Sequence, residues 1–245
     1  MTSRKIKFYF SFRSPFAAIA VYRLRRLEAF RDIEIQMMPL WPEVMFGGHM
    51  DNPSDNIFKL RYVFQDASRQ ATDAGLDTSF LQGALARLTL PEGVDYTLQK
   101  VGLPMEEKDW APAHIGFLYA ESQGKGWAYA DAVCQARFGF DGLGPRDVLD
   151  EAVLQDIVKE IGLDPNELMA AHLDSELQSV HKDIIRQGES DGVFGVPFFA
   201  LETPQGMQGY WGNDRLDEIY RQLNNDPLPP VFSQSDLRNI QPGKE

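Results

Sequence analysis

The sequence predicts an α/β domain interrupted by a large all-helical insertion. Three observations carry that expectation: the chain opens β-α-β, it closes helix-β-β-α, and between about residues 56 and 188 its apolar residues recur mostly at helical spacing. With 245 residues, 43% of them hydrophobic and 24% charged, the composition suits one large globular domain or one domain carrying a sizeable insertion.

Residues 6–10 read as a short buried strand running into the turn Ser11-Phe12-Arg13-Ser14. A helix is expected over residues 15–30, with Ala18, Ile19, Tyr22, Leu24 and Leu27 on its apolar face. Ser14 fits its N-cap, and Pro15 its first position, where a missing N–H costs nothing. Ile33, Ile35 and Met37 alternate with polar residues towards a strand end at Pro39, so a parallel pair with a crossover helix is expected. Downstream, Ile57, Leu60, Val63 or Phe64, Ala67 and Ala71 make a helical stripe stopped at Gly75. Asp150 is placed to cap a helix carrying Val153, Leu154, Ile157, Val158 and Ile161 and closed by Gly162. Asp164-Pro165-Asn166-Glu167 has a capping-box layout, and Leu173, Leu177, Val180, Ile184 and Ile185 make a further apolar stripe. Residues 196–201 and 207–211 read as a hairpin, Gly212-Asn213-Asp214 starts a last helix over residues 215–223, and the Pro-rich segment from Pro227 onwards reads as an extended tail.

The net charge of −12 argues against nucleic acid or an anionic membrane as the main partner, since both need a basic footprint. There is no apolar run long enough to span a bilayer, and residues 1–7 lack the apolar core of a signal peptide. One cysteine, Cys134, allows no internal disulfide, so a reducing, cytoplasmic setting is expected.

A serine at a helix start is ordinary capping, yet the same corner suits an anion. Its hydroxyl stands at the positive end of a helix dipole, among N–H groups without intrahelical partners. A thiolate is one candidate. A hydrogen bond to a charged group is worth about 1.5–3 kcal/mol, and a helix N-terminus adds about 0.3–2 kcal/mol. At about 1.4 kcal/mol per unit, the two together lower a thiol pKa from about 8.5 by roughly one to three units.

The β-α-β opening and the later Val196-Pro197 at a strand start resemble a thioredoxin fold, with Ser14-Pro15-Phe16-Ala17 where that superfamily carries Cys-Pro-X-Cys. Ser14-Pro15, Gly195-Val196-Pro197 and Tyr210-Trp211-Gly212-Asn213-Asp214-Arg215 resemble the 2-hydroxychromene-2-carboxylate isomerase and kappa-class glutathione transferase family, part of the DsbA-like thioredoxin superfamily. Asn52-Pro53 and the set Lys59, Tyr62, Asp66, Arg69 and Gly75 fit the same pattern, and the likeness spans residues 6–223. The resemblance implies a thioredoxin-like domain over residues 1–45 and 175–226, a helical domain over 46–174 and a tail over 227–245. It implies glutathione as cofactor, Ser14 as the donor to its thiolate, and a homodimer. A cis Val196–Pro197 peptide leaves the Val196 backbone to pair with the cysteinyl unit like an added strand. Asn213 and Asp214 then take the γ-glutamyl end, with Asn52 and Lys59 contributing from the helical domain. Asn213 and Asp214 also suit plain capping of the last helix.

The implied activity is isomerisation of an electron-poor, unsaturated small molecule of the aromatic-degradation type. The alternatives are a kappa-like transferase or peroxidase, and a thioredoxin-like binding protein without catalysis. Ser11 stands where the family has an acidic residue, Pro39-Leu40-Trp41-Pro42 departs from its aliphatic run, and residues 77–105 make a longer stretch. His49, His114, His172 and His181 have no metal-ligand spacing, and no histidine is evident to activate Ser14. Cys134 reads as buried packing, and Gly139, Gly142 and Gly144 make no phosphate loop. Phe12, Trp41, Met45 and Phe46 are placed either to line an apolar pocket beside Ser14 or to pack in the core.

Overall fold

The computed structural model describes residues 5–40, 56–88, 110–203 and 206–224. Strand β1 (Lys5–Phe10) leads into α1 (Pro15–Arg26), a 3-10 turn (Glu28–Phe30) and β2 (Glu34–Pro39). Seven helices follow: α2 (Ile57–Asp73), α3 (Ser79–Arg87), α4 (Ala111–Ser122), α5 (Gly126–Phe138), α6 (Glu151–Glu160), α7 (Pro165–Ala171) and α8 (Ser175–Ser190). The chain returns through β3 (Phe198–Thr203), β4 (Gly206–Trp211), a 3-10 turn (Asn213–Arg215) and α9 (Leu216–Asn224).

The four described strands form one sheet in the order β2-β1-β3-β4. β1 and β2 are parallel, as the crossover predicts, with Phe10 opposite Pro39. β3 is antiparallel to both neighbours, with Phe198 opposite Tyr9 on one side and Trp211 on the other. The ends of β1, β2 and β4 and the start of β3 therefore share one edge of the sheet. Everything that resembles a site lies in the segments leaving that edge.

Phe8 and Phe10, two residues apart and so on one face of β1, anchor the core. Phe8 stacks on Phe199 of β3 at 5.0 Å, and Phe10 meets Phe117 of α4 edge-on at 5.2 Å. On the opposite face, Lys7 Nζ and Tyr9 Oη both reach Asp191 Oδ2, at 2.8 and 2.7 Å, just beyond α8. Burial and the Asp191 carboxylate push the Tyr9 phenol well up, so it remains a donor. The helical block is tied to α1 by Asp131 of α5, a buried carboxylate accepting from Arg25 and Arg26 at 2.9 and 3.1 Å. Among the described residues no helix is long and apolar enough to cross a membrane.

Local capping chemistry set the helix starts. Ser14, Asn56, Asp150, Asp164 and Asp174 each accept an N–H of their own first turn. Four expectations are corrected. α1 stops at Arg26, because Leu27 turns extended and the following 3-10 turn buries Phe30. The stripe expected around α8 is rotated: Leu173 and Val180 are exposed, and the buried line is His181, Ile184 and Gly188. β3 begins at Phe198, two residues late, and α9 begins at Leu216 after a 3-10 turn. Cys134 is buried in α5, where desolvation first and Asp131 second hold its thiol well above the ordinary range.

α4 and α5 approach closely at Gly116. A Cβ there would stand 2.8 Å from Tyr129 Oη and 2.9 Å from Leu168 Cδ1, and Tyr129 is fixed by donating to the Ala113 carbonyl at 3.1 Å. Gly116→Ala is expected to cost about 1–3 kcal/mol through overpacking, read as a lower urea midpoint; an unchanged midpoint contradicts the contact. The buried histidines supply a pH dependence. Burial lowers His114 from 6.5 to about 3 and His181 from 6.5 to about 4, the latter opposed by a hydrogen bond to the Pro39 carbonyl. Above 6.5 both are neutral folded or unfolded; below it the unfolded chain binds protons that the folded one refuses until about 4 and about 3. Their contribution is thus present above 6.5 and lost as the pH falls through that window. In urea titrations between these limits, His181→Gln flattens the loss; a slope equal to that of the parent excludes the histidine.

Candidate active site

The site is built on the N-terminus of α1. Ser14 has extended backbone, and its Oγ accepts from the Ala17 N–H at 3.2 Å while its carbonyl accepts from Ala18 N at 3.0 Å. Pro15 has no N–H to place. Among the described residues nothing accepts from the N–H of Phe16, so the first turn keeps one donor available. The first turn of α1 carries no acidic residue to oppose an anion.

Ser14 donates its hydroxyl proton to the Val196 carbonyl at 3.3 Å, joining residues 182 apart. The Val196–Pro197 peptide is cis. Both Val196 backbone groups lie outside the β3 ladder, as the sequence reading requires, but its carbonyl is not unpaired: Ser14 occupies one of its lone pairs. The Val196 N–H has no acceptor among the described residues. Pro197, buried, accepts from Gly212 N at 3.0 Å, which brings the Gly212-Asn213-Asp214 corner onto the same edge. Gly212 adopts φ +110, and the Asp214 carboxylate fills the place of a Cβ there.

Asn213 and Asp214 part company. Asn213 is buried; its Oδ1 accepts from Arg23 Nη1 at 2.7 Å and its Nδ2 donates to Gln70 Oε1 at 2.7 Å. Its side chain is therefore spent on joining α1 and α2, which corrects the expectation that it faces a ligand; only its backbone is left to do so. Asp214 is exposed. Arg23, half-buried, is lowered by burial against the opposing pull of Asp73, Asp214 and Asp217. Asp214 also has Arg215 Nε 3.8 Å from its Oδ2, so its exposed carboxylate already stands beside a cation.

Lys59 sits exposed in the first turn of α2, where its N–H caps onto Asn56 at 3.2 Å. It lies ~16 Å along the helix axis from Gln70, the α2 residue that meets Asn213, outside the chain of bonds from Ser14 to Asn213. Asn52, Trp41, Met45 and Phe46 fall outside the described residues. Phe12 is fully buried against Phe10, His114 and Tyr129, so it is core and not a pocket wall.

Two features of the turn were not visible in the sequence. His114 is buried with Nδ1 3.0 Å from the Trp110 carbonyl and Nε2 3.1 Å from Ser11 Oγ; it pairs with Ser11, not with Ser14. Arg13 and Arg137 both lie over the Trp110 ring, at 5.8 and 5.7 Å. Burial, then Arg137, lowers Arg13 to about 10. No sequence spacing signals either cluster, since both join β1's turn to helices a hundred residues away. Among the described residues no three His, Cys, Asp or Glu side chains gather to hold a metal ion.

The chain is 26% identical over 218 residues to the 2-hydroxychromene-2-carboxylate isomerase of Sphingobium xenophagum, covering 88% of this chain and 95% of that one. A solved 2-hydroxychromene-2-carboxylate isomerase superposes with a TM-score of 0.64 at 22% identity, over 90% of this chain and 95% of that one. The cytosolic disulfide reductase DsbM of Pseudomonas aeruginosa, in a structure with GSH, superposes with a TM-score of 0.58 at 20% identity, over 90% and 98%. These likenesses show a shared fold, and the model of the DSBA-like thioredoxin domain matches residues 5–224. With a helix-capping Ser14 facing a Val196–Pro197 strand start across the sheet edge, the chain belongs to the DSBA-like thioredoxin domain family.

Proposed function

We propose that this protein is a glutathione-dependent isomerase acting on an electron-poor unsaturated small molecule such as 2-hydroxychromene-2-carboxylate. The observation that carries the proposal is Ser14 itself: a hydroxyl at a helix N-terminus, bonded to the Val196 carbonyl, in a turn without cysteine. The 26% identity to a 2-hydroxychromene-2-carboxylate isomerase supports the reaction class.

The polar groups present suit a cysteinyl tripeptide. The Phe16 N–H and the Ser14 hydroxyl suit an anionic sulfur, the Val196 N–H a peptide carbonyl, and exposed Asp214 an ammonium. Glutathione, when bound, would supply a thiolate for reversible addition to the double bond, which becomes a rotatable single bond and is restored when the same thiolate is eliminated. Ser14 holds charge and does not react. Its O···O contact with Val196 is longer than the usual 2.5–3.0 Å range, so turning the hydroxyl rotor towards an anion gives up little. The oxygen need not move, so its bond from Ala17 N–H survives the switch. The disulfide chemistry of some structural neighbours has no footing at this turn, because the sole cysteine, Cys134, lies buried in α5. A homodimer and a cytoplasmic setting belong to the same proposal.

Ser14→Ala removes the hydroxyl donor and is expected to raise the pKa of bound glutathione by roughly one to two units. Turnover at neutral pH then falls about 10–100-fold, whereas Cys134→Ala retains parent activity. Thiolate ultraviolet absorbance across pH reads the first effect, and unchanged ionisation in Ser14→Ala refutes the proposed role. A substrate panel scored for glutathione consumption separates isomerisation from conjugation. Asp214→Asn weakens glutathione affinity by about tenfold, the loss of one charge-assisted hydrogen bond, without moving the thiol pKa. Calorimetric titration measures it; equal affinity would remove Asp214 from the site.

A further inference from the structure

Ser11 and His114 are both fully buried, three residues and one helix away from the hydroxyl that the proposed reaction uses. A carbonyl can only accept, so His114 Nδ1 carries the proton donated to the Trp110 carbonyl at 3.0 Å. Nε2 then presents its lone pair, and Ser11 Oγ donates to it at 3.1 Å. Burial keeps the ring neutral, with its pKa down to about 3, so this lone pair is not lost at working pH. With its proton committed, Ser11 Oγ accepts from Arg13 N at 3.2 Å, while the Ser11 carbonyl accepts from Ser14 N at 3.1 Å. Ser11 thus closes the 11–14 turn from both its side chain and its backbone, and His114 ties that closed turn to α4. The ring is further seated edge-on against Phe12 at 5.1 Å and Trp110 at 6.0 Å.

We propose that Ser11 and His114 form a positioning pair whose hydrogen bond holds the 11–14 turn against α4 and so sets where the Ser14 hydroxyl points. The consequence for catalysis rests on the proposed glutathione reaction; the mechanical claim does not. Neither residue touches a reacting atom. What the pair supplies is rigidity at Ser14, since a donor held in place stabilises charge without reorganising. A buried Ser–His contact of this kind also meets the need of each polar group for a partner, so the test must separate positioning from mere stability.

The test is amide hydrogen exchange at Ser14 and Ala17, whose N–H groups bond to Ser11 and to Ser14 Oγ. In Ser11→Ala and His114→Leu, exchange at both amides accelerates about tenfold, as for one lost hydrogen bond, while amides of β1 and β3 keep parent rates. His114→Gln, which retains an acceptor near the Nε2 position, restores slow exchange. In the same variants the thiol pKa of bound glutathione rises and kcat falls, with affinity for S-methylglutathione unchanged. Parent exchange rates at Ser14 and Ala17 in either folded variant overturn the pair. So does a uniform slowing or acceleration of the whole sheet, which marks a structural role alone. If the substitutions prevent folding, the ring ¹⁵N shifts of the parent protein decide: an Nε2-protonated His114 overturns the proposal and an Nδ1-protonated one supports it. Should the parent ionise no glutathione thiol, the glutathione reading falls, and the exchange rates still decide the positioning claim.

Discussion

The meeting of the α1 N-terminus with the start of β3, marked by the contact between Ser14 Oγ and the Val196 carbonyl, is the constraint on which the rest of the site depends. The contact closes the N-terminus of α1 against the start of β3 across 182 residues of intervening chain. That meeting needs the sheet order β2-β1-β3-β4. Because β1 runs towards the shared edge and β3 runs away from it, the end of one and the beginning of the other are neighbours by register. The long helical block is free to grow between them, since loop closure costs rise only slowly with length.

Three polar ties then hold the helices to one another and to the sheet. Asp131 accepts from Arg25 and Arg26 and joins α5 to the far end of α1. Asn213, between Arg23 and Gln70, joins the corner after β4 to α1 and α2 together. Asp191, held by Lys7 and Tyr9, fixes the chain just before it enters the Val196–Pro197 segment. Each joins a buried or half-buried carboxylate or amide to more than one partner, at least one of them charged, the condition under which burial of polar and charged groups is tolerated. Breaking any of them would leave a charge stranded and would also loosen a segment that leads into the site.

What could be read from the sequence follows from what is local. Ser14, Asp150 and Asp164 cap helices through atoms two or three residues away, and Pro15 and Pro165 sit at helix starts for reasons internal to the turn. The Ser14 and Val196-Pro197 segments were legible for the same reason. Rotation of a helix is not local. The spacing of Leu177, Ile184 and Ile185 marks α8 as amphipathic, but which flank turns inward depends on what it meets, and His181 took the place that Val180 was expected to fill. Asn213 illustrates the limit best. Its place at the corner was legible; whether its amide faced a ligand or the interior depended on Arg23 and Gln70, 190 and 143 residues away. His114 and Ser11 carry no spacing signal at all, because their partnership spans 103 residues and exists only in the fold.

A weak donor at the head of α1 suits a thiolate that must both attack and leave. Nucleophilicity falls as thiol pKa falls, with a Brønsted slope of about 0.4–0.5, so the best attacking thiol has a pKa near ambient pH. From about 8.5, the useful shift is one to two units; a deeper one would gain little thiolate and lose reactivity. In the proposed reaction, Ser14 and the α1 N-terminus together would lower a bound thiol by roughly one to three units, a range that includes this shift. The full positive charges nearby, Arg13 and Arg137, instead lie over the ring of Trp110. In the proposed chemistry, the site is tuned by a neutral hydroxyl whose proton can change partners while its oxygen stays in place.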